Sequence, residues 1–256
     1  MEVNDFISMK EDLRIVQLRA TIFIQQNIGY TPENASRFGG KLMSGGKVVG
    51  VPQPGIPFNG LNPNLPQYGM PWRLFSKTDN GCEYNIVFSP GKIDIVQNFE
   101  TPYGGETEEE FCRYCTEKFY TILSELPDAK VQRIAYAPLY GLIYEDLAVH
   151  SEIWNKILKH TLYDGIPYRD INLQYLVKKE IAFGENTIQM NLLHNIFDGY
   201  NSVNQEGLQK LNKAVLLQLD INSIPEQILS LDKEGVSAFF DNVTVTKNEI
   251  VENAIA

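Results

Sequence analysis

The chain has 256 residues, 43% of them hydrophobic and 21% charged, with a formal net charge of −10. A chain of this size buries roughly three quarters of its unfolded surface, so one large or two small domains can form without disulfide or metal staples. The acidic balance argues against a broad basic face, so nucleic acid is not expected as a direct ligand. No segment reaches the ~20 consecutive apolar residues of a membrane helix, so no membrane association is expected.

Residues 1–14 are acidic and lack an apolar segment, so no signal peptide is expected there. Residues 13–25 alternate. Val16, Leu18, Ala20, Ile22 and Ile24 face one way, and Gln17, Arg19 and Thr21 the other, the pattern of a half-buried strand. Thr31-Pro32-Glu33 then carries the cap, first-position proline and early acid of a helix start, and Gly39-Gly40 is expected to keep that helix short. Residues 50–71 hold six of the thirteen prolines and read as a loop or extended chain. The loop's Phe58, Leu61, Leu65, Tyr68 and Met70 need something to pack on, either the chain's own core or a partner.

A meander follows. Residues 72–77 and 82–88 flank the tight-turn signal Asp79-Asn80-Gly81, and Ser89-Pro90-Gly91-Lys92 is a type II turn into a third strand over 93–99. Residues 107–126 are the clearest helix. Thr107 and Glu110 form a capping-box pattern. Glu108, Glu109 and Glu110 sit at the positive end of the dipole. Phe111, Cys115, Phe119, Ile122 and Leu126 make one apolar stripe, and Pro127 stops the helix.

The second half repeats this order. Residues 131–145 read as a strand with Pro138 marking a bulge or an edge, and 151–162 as a helix with Ile153, Trp154, Ile157, Leu158 and Leu162 on its apolar side. Residues 170–183 alternate Ile171, Leu173, Tyr175, Val177, Ile181 and Phe183 against Asn172, Gln174, Lys178 and Glu180. A turn at 184–186 leads into a strand over 187–197, then a polar loop over 198–213 and a strand over 214–221. Helices over 232–243 and 247–255 finish the chain, the second with Thr246 and Glu249 as its own capping box. The expected fold is α+β. Two β-α-β-β-β-α halves, 1–126 and 127–256, would be related by a pseudo-two-fold axis, their antiparallel sheets covered by helices on one side.

Little in the chain points to catalysis. Cys112 and Cys115 form a Cys-x-x-Cys inside an amphipathic helix, with only Cys82 besides. That is too few ligands for structural zinc and the wrong place for a redox pair, so both read as packing residues. Three cysteines and no secretory signal fit a reduced, cytoplasmic protein. No Gly-x-Ser-x-Gly or phosphate loop occurs; Gly39-Gly40-Lys41 and Gly45-Gly46-Lys47 are fragments without the required spacing. Glu145-Asp146, Asp170, Glu180 and Asp220 read as solvated acids at strand edges. No metal site and no cofactor is expected.

His194 shares a strand face with Ile188, Met190, Leu192 and Ile196. It reads either as a hydrogen-bonded core histidine or as the polar anchor of a cavity. His150 and His160 bracket the helix over 151–162, in solvated structural roles. Tyr136, Tyr140 and Tyr144 share one strand face, suited to a recognition surface or to the rim of a core.

Three parts of the chain resemble an uncharacterised, sporadically distributed bacterial protein family of similar length. They are FSKTDNGCEYNIVFSPGKIDIVQNF with the helix after it, the strand VQRIAYAP, and the ending AVLLQLDINSIP…LDKEGVSAFFDNVTVTKNEI. The resemblance implies a fold and a bacterial or mobile-element setting, in defence, toxin neutralisation or phage assembly, and no mechanism. The expected function is therefore non-catalytic binding, by a protein partner or by self-association, with Phe58, Tyr68, Trp72, Tyr136, Tyr140 and His194 as contact residues. The alternatives are a small-ligand or enzymatic pocket around His194, and a virion subunit that forms a multimer.

Overall fold

A computed structural model describes residues 13–42, 53–54, 71–77, 83–98, 107–144, 147–158, 171–183, 186–205, 208–224 and 231–255. The first half runs β1 (Arg14–Ile24), α1 (Pro32–Leu42), β2 (Gln53–Pro54), β3 (Trp72–Lys77), β4 (Glu83–Ser89), β5 (Lys92–Asn98) and α2 (Glu108–Ser124). The second half runs β6 (Val131–Tyr136), β7 (Leu139–Tyr144), α3 (Leu147–Leu158), β8 (Asn172–Phe183), β9 (Asn186–Gln205), β10 (Leu208–Ser223) and α4 (Lys233–Ile255). This is an α+β fold. All ten strands join one sheet in the order β2-β3-β4-β5-β1-β6-β10-β9-β8, with β7 pairing β1 and β10, and every pairing is antiparallel.

The order has a simple logic. Each half puts its first strand, β1 or β6, at the centre. The third strand of each meander, β5 or β10, lies against it, and the meander runs outward from there. β1 and β6 meet antiparallel with Ala20 opposite Tyr136.

One row of side chains crosses eight strands in register: Leu74, Ile86, Ile95, Ala20, Tyr136, Ile221, Leu192 and Val177. The first seven are buried. The helices cover this face. Phe38 of α1 stacks on Phe88, with ring centroids 5.1 Å apart, and Phe111 of α2 on Tyr84 at 6.1 Å. Phe240 of α4 meets Tyr136 edge-on at 6.2 Å and Phe119 of α2 at 6.4 Å. Burying each large apolar side chain contributes roughly 1.5–3 kcal/mol relative to exposure, so this shared layer dominates stability.

The predicted start of α2 is present in full. Thr107 Oγ1 accepts from the Glu110 amide at 3.2 Å, and Glu110 Oε2 accepts from the Thr107 amide at 2.7 Å. Its stripe, Phe111, Cys115, Phe119 and Ile122, is buried. Among the described residues no helix is long and apolar enough to cross a membrane.

The structure corrects several local expectations. The strand over 131–145 is two strands, because Pro138 supplies no amide; the chain jogs there, with the Ala137 amide donating to Arg19 O and the Pro138 carbonyl accepting from Leu219. The expected polar loop 198–213 is instead the far part of the β9–β10 hairpin, paired from Met190–Ser223 out to Gln205–Leu208. Beyond Tyr200 and Lys213 these strands pair only with each other among the described residues.

The two C-terminal helices are one. No proline or glycine separates them, and Thr246 is a buried residue in the middle of α4. α1 continues through Gly39 and Gly40 to Leu42. α3 starts at Leu147, which puts His150 inside it. Within the expected loop 50–71, Gln53–Pro54 forms a two-residue strand on β3. Phe58 and Tyr68 lie outside the described residues.

Candidate functional site

Trp72, Tyr136 and Tyr140 are all buried. Trp72 stacks on Phe88 with centroids 4.2 Å apart, and its indole N–H donates to Ile28 O at 3.0 Å. As placed it offers a partner no surface. Tyr136 and Tyr140 stand on either side of the Pro138 jog and aim their hydroxyls at one atom. Both donate to Glu108 Oε1, at 2.6 Å each. Glu108 lies in the first turn of α2, where the helix dipole favours its charge. Its other oxygen accepts from the buried Lys247 ammonium of α4. One carboxylate thus ties α2, α4 and the centre of the sheet together.

Burial, and then the Glu108 charge, push both tyrosine hydroxyls well above the usual range. Cys112 sits one turn beyond Glu108, and burial together with Glu108 pushes its thiol up to about 12. Cys115 is fully enclosed, and burial raises its thiol as well. Both are free and held as thiols, the unreactive form.

A second half-buried carboxylate lies where the polar loop was expected. Asp198 on β9 faces α3. His150 Nε2 is 2.8 Å from Asp198 Oδ1, and Trp154 Nε1 is 2.9 Å from the same oxygen and 3.0 Å from His150 Nε2. With Nε2 carrying the proton, imidazole and indole both donate to Oδ1. Asp198 Oδ2 accepts from the Ile171 amide at 3.2 Å. Tyr144 packs its ring on His150, centroids 5.1 Å apart, and burial with the nearby Asp198 charge pushes its hydroxyl up to about 12. His150 is therefore a buried fastener of α3 and not the solvated residue expected; His160 lies outside the described residues. Sequence alone could not join His150 to Asp198, because their separation spans α3 and β8.

His194 stands on β9 between buried Leu219 of β10 and exposed Tyr175 of β8. Its Nε2 is enclosed without a hydrogen-bond partner. Burial holds the imidazole below the usual histidine range. The unfolded chain therefore takes up the proton first as pH falls. The stability contribution is complete above about pH 6.5 and is lost below it, toward the folded-state value. His194→Leu should thus gain on the wild type as pH is lowered from about 8 to about 5 in urea unfolding. Parallel pH profiles would contradict this.

The remaining feature is at the sheet edge. β8 pairs only with β9 among the described residues, so one side of a 12-residue strand has no neighbour there. At its middle Tyr175 is 52% exposed, Leu176 61% and Val177 48%. Tyr175 and Val177 lie on the helix-covered face, level with His194 and Leu192, and Leu176 lies on the opposite face, level with Leu193. Sequence patterning held a sign of this. Leu176 occupies a position of the otherwise polar set Asn172, Gln174, Lys178 and Glu180.

Among the described residues, no three His, Cys, Asp or Glu side chains gather as a metal site requires. No protein-family model matches the chain, and neither a curated protein nor a solved structure does.

Proposed function

We propose that this protein is a non-catalytic binding protein that engages a protein partner through the edge of β8. The observation that carries this reading is the apolar triplet Tyr175-Leu176-Val177, exposed on both faces of an edge strand. The row that is buried across seven strands ends, at its eighth, in exposed Val177. Native sheets blunt free edges with charge, proline or short strands. Lys178-Lys179-Glu180 do so beyond the triplet, but Tyr175-Leu176-Val177 carries no charge, and an open apolar stretch of edge is a template for an added strand. The polar clusters support the same reading. The Glu108 and Asp198 carboxylates are each engaged at both oxygens by groups within the fold, so they act as fasteners.

The test is photo-crosslinking in cells of the native host. A photoreactive side chain at position 176 should yield protein adducts that the same group at Val245, an exposed residue of α4, does not. Equal yields at the two positions would overturn the reading.

A pocket around His194 is the second reading, motivated by its unpartnered Nε2 beside Tyr175. It predicts a small molecule whose binding is lost in His194→Leu. A thermal-shift screen of polar metabolites that stabilises wild type and variant alike, or neither, would remove it.

A further inference from the structure

We infer that the occupant of the β8 edge is β8 of a second copy of this chain, lying antiparallel across a two-fold axis with Leu176 opposite Leu176. This rests on the reading of β8 as the binding edge and adds the identity of the partner.

The first argument is geometric. Tyr175 and Val177 point to one face of the sheet and Leu176 to the other. A ligand or helix on either face would cover only part of the triplet. A strand lying in the plane of the sheet covers all of it and satisfies the outward amides and carbonyls as well.

The second argument is register. A two-fold axis perpendicular to the sheet keeps each side chain on its own face, so the axis must pass through a residue. Centred on Leu176, the pairing sets Tyr175 opposite Val177, Gln174 opposite Lys178, Leu173 opposite Lys179 and Asn172 opposite Glu180. Apolar residues meet at the middle, the flanking pairs are polar except for Leu173 against Lys179, and no like charges are opposed. Centred on Val177, Leu176 would face Lys178 and Tyr175 would face Lys179. Centred on Tyr175, Gln174 would face Leu176. A centre at Lys178 or Lys179 would set a lysine against itself. The best register is self-complementary, as an isologous interface requires.

The third argument is charge and closure. The chain carries −10 overall, so two copies repel at long range. β8 has two lysines and one glutamate, so the excess negative charge is not carried by this edge. Lys179 is also paired with Glu249 of its own α4 at 2.6 Å. Both copies use the same edge, so the pairing is isologous and closes at two copies instead of running on as a fibre.

The test uses the full chain with Cys82→Ser, Cys112 and Cys115 being buried. Directly opposite residues of an antiparallel pair lie within about 4.5–5.5 Å at Cβ, close enough for small shifts to allow a disulfide. Leu176→Cys should give a covalent dimer under mild oxidation. Tyr175→Cys mixed with Val177→Cys should cross-link more than either alone, and Val245→Cys should not. Unmodified protein should sediment as a dimer at about 100 μM, and Leu176→Lys should weaken that dimer about ten-fold or more with its circular dichroism unchanged. A wild-type monomer at that concentration, or cross-linking no faster at position 176 than at 245, would overturn the inference. If cellular adducts at position 176 carry a mass other than a second copy, this inference fails while the binding edge stands.

Discussion

Glu108→Gln should destabilise the protein by about 3–5 kcal/mol, the cost of breaking a buried ion pair from one side. Glu108 Oε1 accepts two tyrosine hydroxyls and Oε2 faces the Lys247 ammonium. An amide has the same shape, but only one of its two ends accepts. If its oxygen stays with Tyr136 and Tyr140, its NH2 faces an ammonium, donor against donor. If it turns over, both hydroxyls lose their acceptor. In either case the Lys247 charge, largely buried between α2, α4 and the sheet, has no counter-charge within reach.

Urea unfolding of Glu108→Gln, Lys247→Met and the double variant would measure this. The double variant should recover a substantial part of the loss, because removing both charges leaves no orphaned ion. A single variant within about 1 kcal/mol of wild type would show that the cluster contributes little, since that is the scale of an ordinary surface change. The m-value should not change, the fold being kept and only its fastening lost.

This cluster also marks the limit of what the sequence reveals. The local signals worked where one element decides its own form. The capping box of α2 depends on residues three apart, and the alternation in β1 on its own pleat; both are seen as expected. Tyr136, Tyr140 and Tyr144 do share one face. What Tyr136 and Tyr140 meet there is Glu108, itself held by Lys247 of α4, and what Tyr144 meets is His150; no periodicity encodes those pairings. Asp198 was hidden for a related reason. It lies just where β9 leaves the body of the sheet and alternation stops, so the segment looked like a loop. Thr246 with Glu249 failed in the opposite way. A capping box is two side chains and two amides, and without a breaker before it the backbone simply continues as helix. Leu176 was legible in principle. One apolar residue in a polar set is weak evidence by itself, and it gains meaning only once β8 is known to be an edge.

Asp198→Ala should cost about 2–4 kcal/mol, from the sum of orphaned donors. Three groups lose this acceptor together: the His150 imidazole, the Trp154 indole, left only with His150 Nε2 in the other tautomer, and the Ile171 amide. The first two are the buried residues by which α3 grips the sheet, and the third fixes the entry of β8. The loss should be local in its signature. Trp154 should become more solvated, with red-shifted fluorescence, while Trp72, stacked on Phe88 in the other half, keeps its environment. A Trp72→Phe background would isolate the Trp154 signal. Asp198→Asn should fall between wild type and alanine, because its one carbonyl oxygen can serve only part of the set. If alanine and asparagine cost the same, and less than about 0.5 kcal/mol, the cluster is not what holds α3. The Glu108 cluster is also separable from the proposed binding edge, since it touches neither β8 nor its neighbour β9. Glu108→Gln should lower stability yet still form the proposed dimer at temperatures where it remains folded, whereas Leu176→Lys should do the reverse.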